Sequence, residues 1–122
     1  MTIKQKTISK EIKLSGKGLH TGLTVNLTFK PAPADHGIKF QRIDLPEQPI
    51  IEADVTHVVD TSRGTVIENN GARVGTIEHT LAAIRGLDID NILIEIDAPE
   101  APIMDGSAAP IYDSIGLENV VE

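Results

Sequence analysis

Residues 23–29, "LTVNLTF", alternate without a break: Leu23, Val25, Leu27 and Phe29 fall on one side, Thr24, Asn26 and Thr28 on the other. Successive side chains of an extended chain point to opposite faces, so a period of two fits a strand with one buried and one wet face. It does not fit a helix. "NILIEID" (91–97) repeats the pattern, with Ile92, Ile94 and Ile96 opposed to Leu93 and Glu95. A sheet built from such strands must have its apolar face covered by a second layer. The chain has no Trp, one Tyr and two Phe, so the packing falls to Ile, Leu, Val and Ala.

Other segments extend the sheet. "EIKLS" (11–15) and "IKFQRI" (38–43) read as strands, and "GKGLHTG" (16–22), with three glycines, suits a tight connection between two of them. "PAPADHG" (31–37) and "DLPEQP" (44–49) are breaks, because proline cannot donate to a ladder. "IIEADVTHVVDTS" (50–62) reads as part strand and part turn. Asn70-Gly71, between "TVIE" and "ARVG", supplies the positive φ angles of a hairpin turn.

The period then changes. Ile77, Leu81 and Ile84 stand at i, i+4 and i+7, which predicts a short helix over roughly 77–85. Thr76 suits its N-cap and Gly86 its C′ position. "APEAPIMDGSA" (98–108) is a proline-rich connection, with Asp105-Gly106 as a tight turn and Ser107 as a cap for a second helix that begins with Pro110 at N1. The expected fold is α+β: one domain over residues 1–122, a two-layer sandwich of a mostly antiparallel sheet of about five strands with two helices packed on one face. The other face or an edge of the sheet is then open to a partner.

Bulk properties exclude several functions. A net charge of −7 leaves no general basic face for nucleic acid. Residues 1–30 lack the apolar core of a signal peptide, and no apolar run approaches the ~18 residues of a membrane span. The absence of cysteine removes disulfides, thiolate metal sites and thiol nucleophiles. These features fit a soluble, cytoplasmic protein.

Chemistry concentrates in a few places. Glu78 and His79 stand in the first turn of the predicted helix. Adjacent helical residues diverge by about 100°, yet at the first turn both can look past the helix end, where unpaired N–H groups favour negative charge. A neutral imidazole there can bind a metal and a carboxylate can take a proton from water. Ala83 follows His79 by four residues, so the two-histidine pattern of helical zinc proteases is absent. The pair is either a solvated helix end or part of a site. His20, among glycines, is either an exposed turn histidine or a site residue, while His36 and His57 read as solvent-facing. "DTSRGT" (60–65) and Asp105 add polar loops that a site could use.

Four stretches together carry a resemblance that none carries alone. In order and spacing, "GKGLHTG", "VNLTFKPAPA", "GTIEHTLAAIRGLDIDN" and "PEAPIMDGSAAP" make the chain resemble the amino-terminal domain of the UDP-3-O-acyl-N-acetylglucosamine deacetylases. These are zinc hydrolases of lipid A synthesis in Gram-negative bacteria. The resemblance implies a cytoplasmic amidase that removes acetyl from the glucosamine nitrogen of the acylated UDP-sugar. Glu78 would match the family's general base and His79 its first zinc ligand. His20 would match a histidine near the active site, with no fixed role.

The chain also departs from the family pattern. There the zinc takes a further His and Asp from a downstream H-K-x-x-D motif. Here no histidine precedes an Asp by four residues: His20 meets Thr24, His36 meets Phe40, His57 meets Thr61 and His79 meets Ala83. Catalytic zinc usually keeps three protein ligands. The expectation is an excised amino-terminal half that binds zinc weakly or not at all and is inactive alone. Its partners would be the UDP-sugar and its own absent carboxy-terminal domain. Ser62, Arg63 and Asp105 take no role from the resemblance. The alternative is a self-contained binding domain whose Glu–His pair caps a helix.

Overall fold

The computed structural model describes residues 4–18, 22–53, 58–60, 65–69, 71–102, 104 and 108–122. Among them the main sheet has five strands: β2 (Ile12–Lys17), β3 (Thr24–Pro31), β4 (Ile38–Arg42), β5 (Ile50–Glu52) and β9 (Ile92–Ile96). Their order is β2-β3-β9-β4-β5; every neighbouring pair is antiparallel except β4 with β9, which is parallel. A second, three-stranded sheet, β6 (Val58–Asp60), β7 (Val66–Asn69) and β8 (Ala72–Val74), has the order β6-β7-β8 and packs beside β5. Helices α1 (Glu78–Gly86) and α2 (Ala109–Ile115) complete the second layer. Strand β1 (Thr7–Ile8) pairs with β10 (Val120–Val121) and brings both ends of the described chain together. The α+β sandwich expected from the alternating segments is the fold observed.

Register explains the core. Phe29 and Phe40 both pair with Ile94, and Phe40 pairs with Ile51, so one row of large apolar residues crosses four strands. All four are fully buried. Burial of side chains of this size contributes about 1.5–3 kcal/mol each. Ile84, Ile111 and Ile115 of the two helices join the same cluster. The opposite face is polar rather than an open apolar surface. There the Lys30 ammonium lies 3.1 Å from Glu95, and Asn26 is bonded by both its backbone and its side chain to Asp97.

Arg42 breaks the apolar row. It pairs with Ile96 yet is 6% exposed. Its guanidinium donates to both carboxylate oxygens of Asp44 and, at 2.7 Å, to the Arg73 carbonyl. A buried cation is tolerated when its donors are satisfied, and here the satisfied cation fastens the main sheet to β8.

Four local expectations are corrected. Leu23 is 55% exposed, because β3 begins at Thr24 and the buried alternation starts with Val25. Thr76 is not the N-cap of α1: Ile77 holds that place with no side-chain cap, and Thr76 has φ +56. Gly86 is the last helical residue rather than C′. Asp88 takes the left-handed position at φ +57, with bonds from Asp88 N to Arg85 O and from Ile89 N to Ile84 O. These two bonds form a Schellman end, and Ile84 and Ile89, the positions where that motif places its apolar residues, are both buried. Helix α2 begins at Ala109, one residue before Pro110, with Ala108 as its N-cap. Of the predicted hairpin turn, Gly71 has φ +85, while Asn70 lies outside the described residues.

Candidate functional site

Glu78 opens α1 and His79 follows; both are half-buried. The Glu78 carboxylate is held in place: its Oε2 accepts the backbone N–H of Thr65 at 2.7 Å, while the N–H of Ile77 donates to the Thr65 carbonyl at 3.4 Å. Thr65, just before β7, therefore grips the helix start twice. An anionic group at a helix amino end is also favoured by the helix dipole, and Arg85 complements the opposite end. Beside Glu78 lies a cavity of about 320 Å3, lined in part by Val58, Thr65, Ile67, Leu81 and Arg85. It runs between α1 and the three-stranded sheet, with Glu78 among its lining residues.

The start of α1 is tied to two other segments that the sequence singled out. Gly75 bridges Glu100 in parallel: its N–H donates to the Pro99 carbonyl at 2.8 Å and its carbonyl accepts the Ala101 N–H at 2.9 Å. Two residues on, Pro102 bridges Gly18 in the "GKGLHTG" stretch. That loop is closed by Gly18 N to Leu23 O and Gly22 N to Gly18 O. Gly16 must lack a side chain, since a Cβ there would stand 2.5 Å from Met104 Sδ and 2.8 Å from Pro102 Cβ. The flanks of the His20 loop, the 99–104 segment and the first turn of α1 are thus joined by main-chain bridges.

His20 itself lies outside the described residues, as do His57, Ser62, Arg63 and Asp105. His36, expected to face solvent, is half-buried and its Nδ1 donates to the Gly37 carbonyl at 2.9 Å. Two features had no signal in the sequence. Glu100 is a buried carboxylate, 4% exposed, whose Oε1 accepts the Thr76 hydroxyl at 3.3 Å. Thr80, next to His79, is fully buried and its hydroxyl lacks a partner among the described residues.

The family model described as UDP-3-O-acyl N-acetylglycosamine deacetylase (LpxC) matches residues 5–122. The chain belongs to the LpxC family. It is 54% identical over 118 residues to a UDP-3-O-acyl-N-acetylglucosamine deacetylase of Myxococcus xanthus, covering 97% of this chain and 38% of that protein. A deacetylase of the same name from Saccharophagus degradans is 49% identical over 120 residues, 98% of this chain and 40% of that one. A bifunctional enzyme LpxC/FabZ of Bacteroides thetaiotaomicron is 56% identical over 106 residues, 87% of this chain and 23% of that protein. The chain therefore spans well under half the length of these curated relatives.

As a donor set for zinc, the described part of this LpxC-family chain is incomplete. No group of three or more His, Cys, Asp or Glu that could hold a metal ion occurs among the described residues. His79 offers one imidazole of the kind zinc takes, where catalytic sites use three protein ligands. By themselves these residues do not fit the metal. Nor is any helix of the described residues long and apolar enough to cross a membrane.

Proposed function

We propose that this chain is the part of a UDP-3-O-acyl-N-acetylglucosamine deacetylase that carries its general base, Glu78, and one zinc ligand, His79. A carboxy-terminal domain would supply the remaining His and Asp ligands. His20 would stand at the edge of the same site. The reaction would belong to lipid A biosynthesis in the cytoplasm of a Gram-negative bacterium. The observation that carries the reading is the Glu78 carboxylate oriented by Thr65 N–H at the start of α1, directly before His79.

The chemistry asked of these residues is amide hydrolysis. Glu78 takes a proton from water as the water oxygen adds to the acetyl carbonyl carbon. The C–N bond then breaks, the sugar nitrogen gains a proton, and acetate leaves. Zinc, when bound, would supply Lewis acidity toward the carbonyl and make the water easier to deprotonate. The bond from Thr65 fixes the carboxylate rotamer beforehand, so no ordering cost falls on the reacting state. Of the histidines, the described residues place only His79 beside Glu78 at the start of α1, and the 122-residue chain by itself is expected to release no acetate.

The test uses the full-length protein and measures acetate release from the acylated UDP-sugar together with zinc content. Glu78→Gln should lower kcat by roughly 10²–10⁴-fold, the usual worth of a general base, and leave zinc bound. His79→Ala should lose both activity and zinc. Full activity in either variant would overturn the assignment.

A further inference from the structure

Among the described non-glycine residues with positive φ, Thr76 alone is β-branched, at φ +56. A left-handed conformation is least favourable for such a side chain. Thr76 is also buried, 5% exposed, and lies against the buried carboxylate of Glu100. Its hydroxyl donates to Glu100 Oε1 at 3.3 Å, closing a ring already made by the two main-chain bonds between Gly75 and the 99–101 segment. On the far side, Thr65 holds Ile77 N–H and the Glu78 carboxylate. The chain from 75 to 78 is therefore clamped from both sides at the point where β8 turns into α1.

Packing alone does not call for a carboxylate and a hydroxyl here. A buried carboxylate is costly to desolvate, and an apolar pair of the same shape would fill the space with less penalty. Backbone strain of this kind persists where the surroundings over-determine it, and it clusters at functional sites. The strained residue stands two positions before Glu78 and three before His79.

We propose that Glu100 and Thr76 are positioning residues. The buried carboxylate holds the left-handed turn at Thr76, and that turn sets the direction in which Glu78 and His79 leave the first turn of α1. The catalytic side of this inference rests on the proposed deacetylase function; its geometric side does not.

Thr76→Val keeps the shape and removes the hydroxyl, Thr76→Ser keeps the hydroxyl, and Glu100→Gln keeps an acceptor oxygen without the charge. In the full-length protein, Thr76→Val is expected to lower kcat for acetate release by about tenfold or more, with KM within about twofold, because small misplacement of a reacting group costs this much. Thr76→Ser should recover most of that loss, and Glu100→Gln should fall between them. A second readout is the backbone amide resonance of Thr65, which donates to Glu78. It should move in Thr76→Val toward its position in Glu78→Ala and stay near the parent position in Thr76→Ser. Glu100→Gln carries the same readouts if Thr76→Val does not fold. A kcat of Thr76→Val within about twofold of the parent, or a Thr65 amide unmoved in that variant, overturns the proposal. If the parent protein releases no acetate, the deacetylase reading fails, and the Thr65 amide still decides whether the clamp aims Glu78.

Discussion

The backbone N–H of Thr65 points at the carboxylate of Glu78, 2.7 Å from Oε2. The bond separates two roles of one side chain. Glu78→Ala removes the acceptor from a half-buried donor, and an unsatisfied donor costs about 1–3 kcal/mol when shielded from water. Glu78→Gln keeps an oxygen for Thr65 and removes the carboxylate charge. The expected outcome is a melting temperature lowered by several degrees in Glu78→Ala and nearly unchanged in Glu78→Gln. Thermal unfolding followed by circular dichroism checks it; equal melting of the two variants would mean that the Thr65 bond does not hold the carboxylate.

Gly16 offers a test of the bridge between the early loop and the 99–104 segment. A Cβ there meets Met104 Sδ at 2.5 Å and Pro102 Cβ at 2.8 Å. The thioether is flexible and can move, but the proline ring cannot. Gly16→Ala should destabilise by about 1–3 kcal/mol, the usual cost of overpacking. Gly16→Ala combined with Met104→Ala should recover part of this, since the Pro102 clash remains. Urea denaturation of the parent, Gly16→Ala and the double variant measures the difference.

The layers of the fold were legible in the sequence because alternation and a change of period report burial directly. Val25, Leu27, Phe29 and the isoleucines of β9 are buried as their spacing requires. Sheet order was not legible: the parallel pairing of β4 with β9 depends on a crossover that no local pattern encodes. At the site, Glu78 and His79 were visible as titratable residues in an apolar helix. The clamp was not, because Thr76 looks like an ordinary N-cap and its left-handed turn depends on Glu100, 24 residues away. Thr65 was equally hidden, since its contribution is a backbone N–H and a carbonyl that any residue but proline has.

The end of α1 carries two residues in positions that suit others better. Gly86 lies within the helix, where a Cβ would meet the Tyr112 ring at an ordinary 3.5 Å, while Asp88 holds the left-handed place that glycine fills most readily. Gly86→Ala should stabilise by about 0.4–1 kcal/mol through a less flexible unfolded chain. Asp88→Gly should relieve the left-handed backbone, roughly 1 kcal/mol offset in part by glycine's entropy. Differential scanning calorimetry should show Gly86→Ala melting higher than the parent and Gly86→Leu melting lower, as the larger side chain strikes Tyr112.

Asp44 gives the fold an acid-sensitive tie. The hydrogen bond and charge of the Arg42 guanidinium hold its carboxyl below the ordinary 3.8, against a smaller opposing effect of burial. Because the folded-state pKa is depressed, the stabilisation is complete above about 3.8 and is lost as pH falls through the lowered value. Asp44 is partly exposed, so the contribution stays near 1 kcal/mol or less. Asp44→Asn should therefore melt below the parent at pH 7, and the gap should close as pH falls through the lowered value of the Asp44 carboxyl. A gap that persists at low pH would assign the loss to packing rather than to the ion pair.

The proposed assignment of His79 to zinc is tested by zinc affinity. His79 stands in the first turn of α1, and among the described residues no further His, Cys, Asp or Glu joins it to make three. Each missing ligand removes a metal bond, and ligands held apart on separate domains gather only when those domains meet. Calorimetric titration of the 122-residue chain should show weak zinc binding that His79→Ala barely alters. Adding the carboxy-terminal domain should produce a tight one-to-one site that His79→Ala abolishes. Tight stoichiometric binding by the chain alone would require ligands beyond His79 within it, and would move the metal off the proposed shared position.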